Sequence, residues 1–186
     1  MRPILTLVLA AAAWISAALP PSLSAQALSP ARTGPVIEGY GAVYDVPAPD
    51  FETPMGVRRV LFSVSASGDG PGELNPNIDT LARYLNMHAR AGVPRENMKL
   101  ALVIHGGAGK DVLTDEAYRR RFGVDNPNRM LLQELIRFGV RVVLCGQTQT
   151  SGGFQRDEIL PDIQVALSAM TALVALQDEG YRLIPY

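Results

Sequence analysis

Arg141-Val-Val-Leu-Cys-Gly-Gln147 is the stretch from which the rest of the chain falls into place. Val142 to Leu144 is a short apolar run of the kind that forms a strand covered on both faces. It delivers Cys145 to its carboxyl end, and Gly146 lets the backbone turn away. Open α/β sheets hold their ligands at the carboxyl ends of their strands, so a thiol placed there is a candidate site. Cys145 is the only cysteine of the 186 residues, which excludes an internal disulfide. Such a thiol is either a buried, inert core residue or a free one available for use.

The flanking sequence supplies four more strands and the helices between them. Val57 to Ser65 and Lys99 to Ile104 are strongly apolar strand segments, and Ile163 to Leu167 and Tyr181 to Pro185 are shorter ones. Ile78 to Ala91 carries Ile78, Leu81, Leu85 and Ala89 at helical spacing, with Asn77 as its cap and Gly92 at its end. Thr114 caps a helix through Phe122, closed by Gly123. Asn126-Pro127 opens the next helix, and Gly139 closes it. Gly146 to Gly153 has the polar composition of a loop, Phe154 to Leu160 that of a helical turn, and Ser168 caps a helix from Ala169 to Glu179. Strands alternating with helices predict a compact flavodoxin-like α/β domain: a mostly parallel five-stranded sheet with helices on both faces.

Three segments divide the chain. Residues 1–27 have the pattern of a cleavable signal peptide, with Arg2 at the start, an apolar run from Ile4 to Leu19, and Ala25-Gln26-Ala27 as a small-x-small cleavage site. The run is shorter than the ~20 residues of a spanning helix, and Pro20-Pro21 ends it. The expectation is a periplasmic or secreted protein without a stable membrane anchor. Residues 28–56 form a Pro/Gly-rich arm in which Val36-Ile37 and Tyr40 to Val43 have the composition to lie on a surface; wrapping a neighbouring subunit is the sharper option. Residues 57–186 form the domain. A net charge of −1 with both signs mixed excludes a basic nucleic-acid surface or a polybasic lipid-binding cluster.

His105 also ends a strand, and Gly106-Gly107 permits a tight turn after it. With neighbouring strands, His105 lies beside Cys145 as a base or orienter. Backbone amides at Gly146 and Gln147 are positioned to lower the thiol pKa. Gly106 to Asp111 does not make a phosphate loop, because Ile104 stands where the first glycine belongs and Asp111 where Ser or Thr belongs. A looser nest of amides at Gly106 and Gly107 stays open. Cys145, His105 and Asp111 have no metal-ligand spacing, so neither metal nor cofactor is expected. The helix at 169–176 is apolar nearly all round and either packs inside the chain or against a second copy.

Leu102-Val-Ile-His-Gly-Gly-Ala108, Phe122-Gly-Val-Asp-Asn-Pro-Asn128, Val143-Leu-Cys-Gly-Gln147, and Ala166-Leu-Ser-Ala-Met-Thr-Ala-Leu173 with Gly180-Tyr-Arg-Leu-Ile-Pro185 together resemble the DsrE/DsrF-like family, and more narrowly its exported branch. The match runs from Val57 to Tyr186. The resemblance implies a DsrE-like α/β sandwich assembling into trimers or hexamers. It also implies a strand-end cysteine, here Cys145, that takes persulfide sulfur from a donor protein and passes it to an acceptor. His105 and Gly106-Gly107 fit the exported branch's pattern, which assigns them no role. The relay members work in the cytoplasm, whereas this chain starts with a signal sequence. Three functions therefore stand side by side: a sulfur carrier, a non-catalytic small-ligand or oligomeric interaction module, and an enzyme with Cys145 and His105 within the ~3–4 Å of a hydrogen-bonded pair.

Overall fold

A computed structural model describes residues 30–184; the expected signal segment lies outside them. Five strands run β1 Arg58–Val64, β2 Met98–Ile104, β3 Arg141–Cys145, β4 Gln164–Ala166 and β5 Arg182–Ile184. All pairings are parallel, in the order β4-β3-β2-β1-β5. The helices are α1 Pro76–Arg90, α2 Asp115–Phe122, α3 Arg129–Phe138, α4 Gly146–Ser151 and α5 Ala169–Asp178. The parallel sheet with helices on both faces is the architecture that the strand and helix pattern predicts.

Alternation along the strands separates two cores. Val60, Phe62, Leu100, Leu102, Ile104, Val142 and Leu144 face α1 and α3, which contribute Ile78, Leu81, Leu85, Leu131, Leu132 and Leu135. Leu61, Ala101, Val103, Val143 and Cys145 face the other way, onto Ala169, Ala172 and Leu176 of α5. Among the described residues, α5 therefore covers this face alone. β5, at the sheet edge, keeps Leu183 exposed. Each fully buried leucine contributes on the order of 1.5–3 kcal/mol by leaving water.

Local chemistry moves three boundaries. The cap of α1 is Asn75, not Asn77: its side chain accepts from the Asn77 N–H, and Pro76 takes the first helical position, where a missing N–H costs nothing. α3 starts at Arg129, because the Asn126 amide is drawn away to donate to the carbonyls of Asp111 (2.8 Å) and Leu113 (2.6 Å). Gly146–Ser151, expected as a loop, is helical.

Residues 32–43 of the arm pack against their own chain. Arg32 and Val43 exchange two backbone hydrogen bonds, and Ile37 and Val43 are buried. Asn86, fully buried on α1, holds the arm. Its carbonyl oxygen accepts from the N–H of Val36 (3.1 Å) and Ile37 (2.9 Å), and its amide donates to the carbonyls of Ile37, Tyr40 and Gly41. Gly41 passes so close to α1 that a Cβ there would stand 2.2 Å from the Arg83 nitrogen.

Candidate functional site

The carboxyl ends of β1, β2 and β3 form one rim. Register pairs Ile104 with Leu144, so the residues that follow them, His105 and Cys145, are neighbours on the α5 side of the sheet. Their side chains do different things. The His105 Nε2 sits 3.1 Å from the Ser63 hydroxyl on β1, the strand on the side away from Cys145. Cys145 is directed into the junction between α4 and α5.

Two helices begin at that junction. α4 begins at the residue after Cys145, and α5 begins at Ala169, held by the Ser168 hydroxyl accepting from the Thr171 N–H (3.1 Å). Burial alone would raise the thiol pKa. Hydrogen bonds from the Thr148 N–H and hydroxyl and from the N–H groups of Ala169 and Gln147 outweigh it and hold the pKa below the ordinary thiol value. The residue is 5 % exposed and belongs to the apolar cluster that packs under α5. The thiol is thus covered by apolar side chains yet solvated by protein donors.

Glycines make the close approach possible. A Cβ at Gly146 would meet the Ala166 carbonyl oxygen at 2.5 Å, so β4 can run against the start of α4 only if position 146 is bare. Gly106, at φ 54, donates its N–H to the Thr148 hydroxyl oxygen (2.9 Å). That bond occupies an acceptor site of Thr148 and leaves its proton for the sulfur. Gly106 thereby enters the site through Thr148. Gly107 lies beside it against the Ser65 carbonyl, in ordinary contact range. Gln147 contributes its backbone N–H, while its side chain donates to the Leu167 carbonyl (3.3 Å).

Residues 106–112 wind as a 3-10 helix. The helix ends in a polar knot that the sequence did not announce. Fully buried Asp111 accepts from the Ser67 hydroxyl (2.6 Å) and the Asn75 amide (2.7 Å). Lys110 donates to Ser67 (2.6 Å) and Tyr118 (3.1 Å). Burial works against its charge, but the Tyr118 hydroxyl and the Asp111 carboxylate raise its pKa, so it stays a cation. Beside the knot a cavity of about 350 Å³ opens between Gly106, Lys110, Phe122, Thr148 and Phe154. Thr148 separates it from the thiol.

Thr148 and the α5 amino terminus are the parts of the site that residue-level reading missed. Thr148 is the third residue of a helix too polar to be recognised, and Ala169 carries only a backbone group. The one available signal was Ser168, a helix cap about twenty residues after the cysteine. Among the described residues no group of His, Cys, Asp and Glu has the geometry of a metal site.

The fold has solved relatives. It superposes on the protein of unknown function MTH1491 from Methanobacterium thermoautotrophicum with TM-score 0.50 and 22% identity, covering 68% of this chain and 97% of that one. It also superposes on the YchN protein from E. coli with TM-score 0.52 and 13% identity, covering 70% and 100%. At these identities the likeness is one of fold. The chain matches no curated protein sequence. The model of the DsrE/DsrF-like family matches residues 58–186, the whole sheet with its helices, and the chain belongs to that family.

Proposed function

We propose that this protein is an exported sulfur carrier that holds sulfane sulfur as a persulfide on Cys145. Family membership supports a role of the sulfur-relay type. The observation that carries the finer reading is the convergence of Thr148, Ala169 and Gln147 on one sulfur atom. A thiolate there attacks the terminal sulfur of a donor persulfide. The Cys145–sulfur bond forms, the donor's sulfur–sulfur bond breaks, and the donor leaves as a thiolate, with no net oxidation. The new terminal sulfur is itself an anion. A second thiolate that attacks it takes the sulfur on and regenerates Cys145.

Incubation with a sulfane donor adds about 32 Da to the protein, one sulfur on the oxidation ladder of cysteine, and Cys145→Ser abolishes the gain. Unchanged intact mass under donor excess overturns the reading.

A second reading rests on α5. Met170 and Val174, four residues apart, are 75 % and 60 % exposed, and Leu167 just before the helix is 75 % exposed. This apolar stripe fits a homo-oligomer, trimer or hexamer, in which a second copy covers the face that α5 alone shields here. The stripe adjoins the α5 amino terminus that holds Cys145, so assembly and sulfur handling share an element. A monomer at all concentrations in sedimentation contradicts this part alone.

A further inference from the structure

We infer that the opposite end of the sheet carries a separate binding site for an amphipathic anion, a molecule with a carboxylate or phosphate head and an apolar body. α1 and α3 cover β1 to β3, while among the described residues the edge strand β5 packs only Ile184 against that core. Between α1 and the amino-terminal halves of β1 and β5 this leaves a groove of about 650 Å³. Its far wall is the end of the arm at Pro54, anchored where the Asn97 amide donates to the Met55 carbonyl (2.8 Å).

The charge around this groove is one-sided. Arg58, Arg59 and Arg182 line it, and none of its lining residues is Asp or Glu. Among the described residues these three arginines, like Arg83, Arg95 and Arg156 elsewhere, join no ion pair, whereas Arg32, Arg90, Arg119, Arg120, Arg121, Arg129, Arg137 and Arg141 all do. In a chain of net charge −1, the unopposed guanidinium groups of Arg58 and Arg182 at one cavity are a local excess. Register places Arg182 opposite Val60, so Arg182 shares a sheet face with Val60 and with Arg58 two residues before it. Two planar forks on one face suit a carboxylate or phosphate that accepts from both.

The floor is apolar. Val60 and Met98 are buried beneath it, and Ile184 borders it. Tyr84 and His88 form a stacked pair (centroids 3.8 Å apart) along the α1 wall, a flat surface for a hydrocarbon or ring. Burial raises the Tyr84 pKa while the Arg58 charge lowers it, so the phenol stays neutral and the arginine's field reaches the wall. A head-group clamp above an aliphatic and aromatic floor is the usual composition of a small-molecule site. The groove lies at the amino ends of the strands and the Cys145 junction at the carboxyl ends, so occupancy of one leaves the other open.

Calorimetric titration of the purified protein with decanoate, decyl phosphate and decanol tests this. At least one of the two anions binds one-to-one, and decanol, with the same chain and no charge, binds at least about tenfold more weakly. R58Q/R182Q weakens the anion by about tenfold or more, the loss expected when charge-assisted hydrogen bonds are removed. The charge-preserving R58K/R182K retains the larger part of the binding, which separates lost charge from lost fold. Binding of decanol equal to that of both anions, binding undiminished in R58Q/R182Q, or no binding of either anion overturns the inference.

Discussion

Cys145 poses a contest between burial, which opposes a thiolate, and three backbone donors plus one hydroxyl, which favour it. The donors win because two helices start within reach of the same atom. Thr148→Val removes the hydroxyl donor while keeping the N–H and the side-chain volume. The pH profile of Cys145 alkylation in this variant moves to higher pH, and an unmoved profile contradicts the assigned hydrogen bond. Glu158 is held low in the same manner, by donors that outweigh desolvation. Hydrogen bonds from Arg121, the Gln155 N–H and Arg120 hold its carboxyl down to about 2. Because the folded pKa lies below the ordinary value near ~4.3, its stabilising contribution is complete above that value and is lost as pH falls towards 2. Unfolding titrations of Glu158→Gln therefore show a flatter loss of stability over that acid range than wild type.

Among the elements, the central strands were legible because their runs are continuous. Leu100 to Ile104 and Val142 to Leu144 are covered on both faces, and nothing in them competes with a buried parallel strand. Leu102→Ala, on the strand flanked by both β1 and β3, costs about 2–5 kcal/mol in denaturant unfolding. α4 was not legible. Gly-Gln-Thr-Gln-Thr-Ser has neither helix propensity nor an apolar stripe. It is helical because Gly146 must clear the Ala166 carbonyl and Thr148 is held by Gly106. Both constraints come from other elements, and a local window contains neither. The arm was half legible: Ile37 and Val43 announced a surface contact, but only the fold brings Asn86 beneath it. Asn86→Ala leaves the buried Ile37 N–H and the half-buried Val36 N–H without their acceptor and costs about 2 kcal/mol or more. Limited proteolysis then cuts within residues 33–44 faster than in wild type, and equal cutting rates count against Asn86 as the anchor.

At the scale of the molecule, a parallel sheet displays its two ends to solvent with different chemistry. The carboxyl end gathers helix amino termini and glycine turns around one sulfur. The amino end gathers arginines around an apolar groove. Composition could place Cys145 and His105 at the same rim, yet it could not tell that His105 turns to Ser63 while the thiol turns to α5. Side-chain direction at a strand end depends on which neighbouring helix covers that face, and α5 lies more than twenty residues downstream. The same helix leaves Met170 and Val174 in solvent. If the proposed homo-oligomer forms through this stripe, Met170→Ser with Val174→Ser lowers its assembly state in sedimentation without lowering the unfolding midpoint of the isolated subunit.

The proposed sulfur chemistry rests on a thiol that is only 5 % exposed. Maleimide labelling of folded and urea-unfolded protein, followed across pH, separates a nucleophile from a core residue. Folded Cys145 is expected to react in its own right, with a rate that levels off at a pH below the ordinary thiol range near ~8.5. Labelling that occurs only at the rate of global unfolding, with no pH inflection of its own, would contradict it.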